Sequence, residues 1–281
     1  MTKIVVAGAS GFIGSNIFHE LEAGGREVIG VSRTAQRRFV RVISYADVPE
    51  GDVLIFAAEP NHVEEELEGS DADLETRLRV LELLTARPWR RIIYLSSAAV
   101  YGDLRDGSIL ATVPPHPISA YAIGKVKAEE VVLRNPRSVI LRLSNVYGPG
   151  MSSGTVVSTI LKQINSSDTV QVVSLTPVRD FIWVTDVVKL VTKIIDMPGE
   201  GSFQSQIFNV GTGIGTSVAS LVNLALELAG KPHLRIICAE RNQLPSSIVL
   251  HVNETEQCWN WKSSTSIREG LRLLLLDPSV K

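Results

Sequence analysis

The sequence predicts an α/β fold built on a doubly wound parallel sheet. Short apolar runs alternate with segments of helical periodicity through the first half of the chain. Those runs are continuously apolar rather than alternating, which is the pattern of strands covered on both faces. The first run also leads through a glycine-rich turn straight into a helix, the usual first step of such a sheet.

Each element has its own reason. KIVVAG (3–8) is β-rich, apolar and closed by glycine, and reads as a buried strand. Ile13, Ile17 and Leu21 then form one helical stripe, and Gly24–Gly25 supplies a stop. Residues 26–33 and 52–59 are further strands. Leu74, Leu78, Leu81 and Leu84 fall at helical spacing before Pro88. RRIIYLSS (90–97) is a strand, YAIGKVKAEEVV lies on a helix, and SVILRLSNV (138–146) is one more strand. From about residue 150 the loops become richer in Gly, Pro, Ser and Thr, with no repeat and no low-complexity linker.

Bulk properties exclude several classes. The chain has 281 residues, 44% hydrophobic and 21% charged, enough for one large or two intimately joined units. A net charge of −2 gives no pull toward nucleic acid or an anionic membrane. Cys238 and Cys258 make neither a disulfide framework nor a metal cluster, and the five histidines show no metal-ligand spacing. No apolar stretch reaches the ~20 residues of a membrane span. The chain opens on a strand-like run without a signal peptide. The expectation is a soluble, cytoplasmic, reduced protein that binds neither nucleic acid nor membrane.

GASGFIG places Gly8, Gly11 and Gly14 between a strand and an apolar-striped helix. In that context the glycines give a tight turn, a close backbone approach to a pyrophosphate, and close helix packing, and the helix N-terminus offers N–H groups to the phosphates. The simpler alternative is a set of turn glycines. Ser10, Phe12 and Ile13 in this loop, and Ala57 and Ala58 after the 52–59 strand, are candidate cofactor contacts. The second strand ends in Ser32 where NAD sites usually carry an acid for the ribose diol, and Arg33 follows. Nothing there repels a 2′-phosphate and Arg33 would clamp one, so NADP(H) is preferred and NAD(H) is possible. A solvated basic loop is the other reading of Arg33, Arg37 and Arg38.

Tyr121 and Lys125 stand one helical turn apart, on one face. This is either a surface pair or an acid–base device, since an ammonium beside a phenol stabilises the phenolate.

Gly8-x-x-Gly11-x-x-Gly14, LSSAAVYG (95–102), Tyr121-x-x-x-Lys125, RLSNVYGPG (142–150), VRDFIWVTDVV (178–188) and IFNVGTG (207–213) occur in this order. Together they resemble the extended short-chain dehydrogenase/reductases, a group of nucleotide-sugar epimerases, dehydratases and ketoreductases. The resemblance covers nearly the whole chain. It implies a Rossmann domain over 1–150, with a return near 179–211, and a smaller α/β substrate-binding domain mainly over 151–281. It also implies a homodimer through the helices near 73–86 and 119–134. Tyr121 would exchange the proton with a substrate oxygen, Lys125 would hold the nicotinamide ribose, and Ser97 would bind the same oxygen as Tyr121. Ser97 also reads as a simple strand end. Asn145 and Ala98 are candidate substrate contacts. Arg179 and, by a looser match, Arg241 would pair with phosphate oxygens, although Arg179 also reads as the partner of Asp180 or another neighbour. Asp186 would cap the helix that follows it.

Two absences narrow the reaction. Sugar 4,6-dehydratases of this group carry an Asp–Glu pair after the catalytic hydroxyl, and here those positions are Ala98 and Ala99. Epimerase–reductases that invert C3 and C5 place a cysteine at the position of Ala99. The expectation is an NADP(H)-dependent reduction of the 4-keto group of a nucleotide-linked deoxysugar. The alternatives are an NAD-dependent nucleotide-sugar 4-epimerase, a reductase of a non-nucleotide carbonyl compound, and a non-catalytic dinucleotide sensor.

Overall fold

The structure is a computed structural model that describes residues 2–34, 36–58, 71–103, 107–197, 206–240 and 246–277. The first half runs β1 (Lys3–Ala7), α1 (Phe12–Ala23), β2 (Glu27–Ser32), β3 (Val40–Arg41), β4 (Val53–Phe56), α2 (Asp71–Thr85), β5 (Arg91–Ser97), α3 (Ala120–Leu133) and β6 (Ser138–Leu143). It continues as β7 (Asn145–Tyr147), α4 (Val156–Ser166), β8 (Thr169–Val172), β9 (Val178–Trp183), α5 (Val184–Asp196), β10 (Ile207–Val210) and β11 (Gly215–Ser217). The chain then forms α6 (Val218–Leu228), β12 (Arg235–Cys238), β13 (Ser247–Ile248), α7 (Asn253–Trp259) and α8 (Ile267–Leu276).

Seven strands form one parallel sheet in the order β10-β6-β5-β4-β1-β2-β3. This is a Rossmann-like, doubly wound α/β arrangement. Alternate residues of β1 show why both faces are covered. Ile4 and Val6 pack with Ile17, Phe18 and Leu21 of α1 and with Val191 and Ile194 of α5. Val5 and Ala7 face Leu81 and Leu84 of α2 and Val131 and Val132 of α3. Each fully buried aliphatic side chain contributes about 1.5–3 kcal/mol, so no strand here tolerates a polar register slip. The strand order reverses at β1, and a crevice opens there beyond the carboxyl ends of β1 and β4. α1 stops where the sequence predicts. Gly25 takes φ 70° and donates its N–H to Glu22 O at 3.0 Å.

The second half builds a four-stranded sheet of β7, β9, β11 and β13 and a pair of β8 with β12, around a core that includes Ile160, Leu161, Phe181, Leu221 and Leu274. β10 returns to the edge of the first sheet and pairs with β6. The buried Asp180 carboxylate ties β9 to the turn after β10. It accepts from Thr212 N (2.9 Å), Thr212 Oγ1 (2.7 Å) and Gly213 N (3.0 Å). A Cβ at Gly211 would overlap that carboxylate. Burial pushes the Asp180 carboxyl up, and the Thr212 and Gly213 donors oppose the shift.

Two expectations are corrected. The run 138–146 is not one strand. β6 pairs in the first sheet to Leu143, and β7 pairs with β9 in the second sheet from Asn145 onward. Ser144 lies between them and donates its N–H to Val210 O at 2.8 Å. Asp186 does not cap α5. It sits inside that helix, fully buried, and accepts from Ser264 N (3.1 Å), Ser264 Oγ (2.8 Å) and Thr265 N (2.9 Å). It therefore anchors the segment that leads into α8.

Candidate active site

The loop after β1 is shaped by backbone crowding. Gly8 has φ 84°, and a Cβ on it would overlap Ala57 and Ala58 after β4. A Cβ on Gly14 would overlap the Gly8 carbonyl, so only glycine lets α1 pack this close to the turn. The Gly11 carbonyl accepts the first intrahelical bond of α1, from Ser15 N at 2.9 Å. The N–H groups of Phe12, Ile13 and Gly14 precede it, at the positive end of the helix. Gly11, Phe12, Ile13 and Ala57 line one end of a cleft of about 360 Å³.

The same cleft is also lined by Ser97, Tyr121, Lys125, Ser144 and Asn145. Ser97 ends β5, and its Oγ accepts from Ala99 N at 3.2 Å, which opens a 3-10 turn over Ala98–Tyr101. That bond uses a lone pair and leaves the hydroxyl proton for another acceptor. Ser119 caps α3 by accepting from Ala122 N at 3.1 Å, and this cap sets the start of the helix that carries Tyr121 and Lys125. Lys125 is buried, donates to Leu95 O at 3.0 Å, and lies 5.7 Å from the centre of the Tyr121 ring and 5.3 Å from that of Tyr94. Tyr121 is half-buried. The predicted Ser–Tyr–Lys set thus lines the same cleft as the glycine loop.

Behind this wall runs a buried polar network that the sequence did not announce. Arg142 and Glu129 pair at 2.6 Å, with each side chain 3% exposed. Ser96 donates to the same carboxylate. The Arg142 guanidinium sits 4.8 Å from the Tyr101 ring, and Tyr101 donates to Asn209 Oδ1 at 2.7 Å. Burial lowers the Arg142 pKa, but the bond and charge of Glu129 outweigh it and hold the guanidinium charged. Burial pushes the Tyr101 phenol up, with the nearby Arg142 opposing, so it remains neutral. The signals were an Arg inside an apolar strand and a Glu one turn beyond Lys125, since buried charges require partners.

The remaining predicted residues divide. Ser32 is buried, and its hydroxyl bonds Ser10 Oγ at 2.7 Å and Thr34 Oγ1 at 2.9 Å. A neutral hydroxyl cluster therefore stands where an acid would bind a ribose. Arg33 is exposed, lies 5.5 Å from the Tyr45 ring, and has no carboxylate partner among the described residues. Arg38 is paired with Glu22 at 2.7 Å. Ala98, expected as a substrate contact, is the buried first residue of the 3-10 turn and does not line the cleft, whereas Ala99 does. Arg179 lies outside the cleft wall, donating to Val178 O (2.9 Å) and Ser246 O (3.1 Å), with Asp103 at 3.6 Å. Arg241 lies outside the described residues. Ser144 and Phe181, within the 142–150 and 178–188 motifs but given no role there, also line the cleft, as do Ser152 and Thr155, which lie outside any motif.

Residues 4–211 match the sequence profile described as the NAD dependent epimerase/dehydratase family. The chain belongs to this family. Among curated members, the GDP-6-deoxy-D-mannose reductase of Pseudomonas aeruginosa (strain PAO1) is 25% identical over 98% of this chain and 96% of its own. The UDP-glucose 4-epimerase of Mycolicibacterium smegmatis is 26% identical over 82% and 83%. A solved structure of MoeE5 with UDP-glucuronic acid and NAD superposes with a TM-score of 0.82, at 26% identity and 96% coverage of both chains. In this epimerase/dehydratase-family protein, the glycine loop, the α1 N-terminus, Tyr121 and Lys125 line a cleft that fits a nicotinamide cofactor.

Proposed function

We propose that the protein is an NADP(H)-dependent oxidoreductase that reduces the 4-keto group of a nucleotide-linked deoxysugar. The observation that carries the reading is that Ser97, Tyr121 and Lys125 line one cleft together with the glycine loop. The similar reductase of Pseudomonas aeruginosa supports a sugar-nucleotide substrate. Asn145, exposed at the cleft wall where β7 begins, is the proposed contact to that substrate.

The bound dinucleotide supplies the hydride. The chain supplies the rest. The Phe12, Ile13 and Gly14 N–H groups take the pyrophosphate. Lys125 holds the ribose while its stem stays packed in the wall. Ser97 and Tyr121 donate hydrogen bonds to the keto oxygen, which polarises the carbonyl. Tyr121 gives that oxygen its proton as the negative charge develops, and the Lys125 ammonium faces the phenolate left behind. Positions 98 and 99, directly after Ser97, are alanine, so neither can act as the base that expels water from the sugar. Cofactor choice rests on Ser32 and Arg33: the Ser32 hydroxyl is uncharged and bonded to Ser10, and the neighbouring guanidinium has no carboxylate partner among the described residues.

The second reading is an NAD-dependent 4-epimerase, favoured by the similar mycobacterial enzyme. Denaturing the purified protein to identify any carried nucleotide, then titrating it with NADPH and NADH, separates the two. Loosely held and preferred NADPH is expected. Tightly retained NAD would favour the epimerase. The protein is further read as a homodimer across α2 and α3, where Leu83 and Ile123 remain exposed.

A further inference from the structure

We infer that Tyr94 is a positioning residue: the face of its ring holds the Lys125 ammonium beside Tyr121. The inference rests on the reading in which Tyr121 and Lys125 carry the proton transfer. Tyr94 lies on β5 and is fully buried. The Lys125 Nζ sits over this ring, 5.3 Å from its centre, within the roughly 6 Å at which a ring quadrupole attracts a cation. The same ammonium lies 5.7 Å from the centre of the Tyr121 ring and donates to Leu95 O at 3.0 Å. Two rings and a carbonyl thus meet one ammonium. Lys125 is 7% exposed, and a charge withdrawn this far from water requires compensation.

Tyr94 is itself held. It pairs with Phe56 across β4 and β5, and the two rings stack at 6.3 Å with their planes 20° apart. Its other strand neighbour is Ile140 of β6, and Leu81 and Leu84 of α2 and Ala128 and Val132 of α3 belong to the same core cluster. A ring fixed in this way fixes the place of the charge above it. The lysine stem is flexible, and a single carbonyl at its tip leaves it several rotamers. The kind of partner matters as well. A carboxylate would hold the ammonium but cancel its charge toward the phenolate. A ring face attracts the charge and leaves it whole. The carboxylate one turn further along α3, Glu129, is engaged by Arg142 at 2.6 Å and by Ser96.

The test grades the electron density of the ring while nearly keeping its shape. Position 94 is filled in turn with phenylalanine (Tyr94→Phe) and with mono-, di- and trifluorinated phenylalanine, and Tyr94→Leu is the ringless end of the series. Turnover is followed with NADPH and a nucleotide-linked 4-keto-6-deoxysugar. Binding is followed by calorimetric titration of NADPH and of 2′-phospho-ADP, which lacks the ribose assigned to Lys125. Turnover and NADPH affinity should each fall stepwise with fluorine count, by roughly three- to tenfold between Tyr94→Phe and the trifluorinated ring. Affinity for 2′-phospho-ADP should stay level, because the glycine loop is untouched. Tyr94→Phe should keep most of the turnover that Tyr94→Leu loses. Turnover that is flat across the fluorinated series, or equal losses for NADPH and 2′-phospho-ADP, would overturn the assignment and leave Tyr94 a packing residue. No turnover by the native protein, or native-like turnover in Tyr121→Phe, would instead remove the Tyr–Lys reading on which it rests.

Discussion

A phenol and a phenyl ring differ by one oxygen, and at position 121 that oxygen carries the proposed chemistry. Tyr121→Phe keeps the ring beside Lys125 and removes the proton donor. Turnover should fall by roughly 10²–10⁴-fold while dinucleotide affinity stays nearly native; lost binding would make Tyr121 a structural residue. Arg33 makes a separate prediction. Its guanidinium stacks near Tyr45 without a carboxylate partner among the described residues. Arg33→Ala should weaken NADPH by roughly tenfold or more, the worth of a charge-assisted bond, and leave NADH almost unchanged. Equal effects on both cofactors in a binding titration would remove the 2′-phosphate assignment. Both residues were visible in the sequence because each belongs to a local pattern, Tyr121 one helical turn before Lys125 and Arg33 directly after the second strand. The change of sheet at Ser144 was not visible, because the run SVILRLSNV has no Gly or Pro to mark it.

The elements that aim the site are held from behind. Glu129 of α3 and Arg142 of β6 fix the helix carrying Tyr121 and Lys125 against the sheet. Glu129→Ala would leave a buried guanidinium uncompensated, and about 3–5 kcal/mol of stability should be lost in denaturant unfolding. Replacing both partners, Glu129→Leu with Arg142→Leu, should restore much of that stability. If the single and double variants were equally unstable, the pair would not be the cause. Asp186 gives a pH prediction. Burial raises its pKa, but the N–H groups of Thr265 and Ser264, the Ser264 hydroxyl and Lys189 outweigh it, holding the carboxyl below its ordinary range. A depressed folded value stabilises the fold fully above the ordinary carboxylate pKa, and the contribution is lost as pH falls through the folded value. Acid unfolding of Asp186→Asn should accordingly show a smaller pH-dependent loss than the native protein below pH ~4; an identical acid limb would show that this carboxylate is not linked to folding. These ties were illegible in the sequence because Asp186 meets Ser264 and Thr265 from 78 and 79 residues away, and Glu129 and Arg142, though 13 apart, sit on a helix and a strand that only packing brings together.

For the whole molecule, alternation of apolar strands and striped helices was enough to anticipate the parallel sheet, since continuous burial on both faces has few other solutions. The strand order, the return of β10 to the sheet edge and the passage of the chain between sheets at Ser144 depend on long-range pairing that no local pattern encodes. Among the described residues, no helix is long and apolar enough to cross a membrane. Leu83 of α2 and Ile123 of α3 remain 46% and 41% exposed, so Leu83→Arg should shift a dimer toward monomer in sedimentation; an unchanged assembly would place any interface elsewhere. The most direct measurement of the proposed reaction is NADPH consumption with nucleotide-linked 4-keto-6-deoxysugars, following absorbance and product together. One NADPH oxidised for each 4-hydroxy sugar formed is the predicted result, with the activity absent in Tyr121→Phe. Interconversion of 4-epimers without net cofactor oxidation would contradict it.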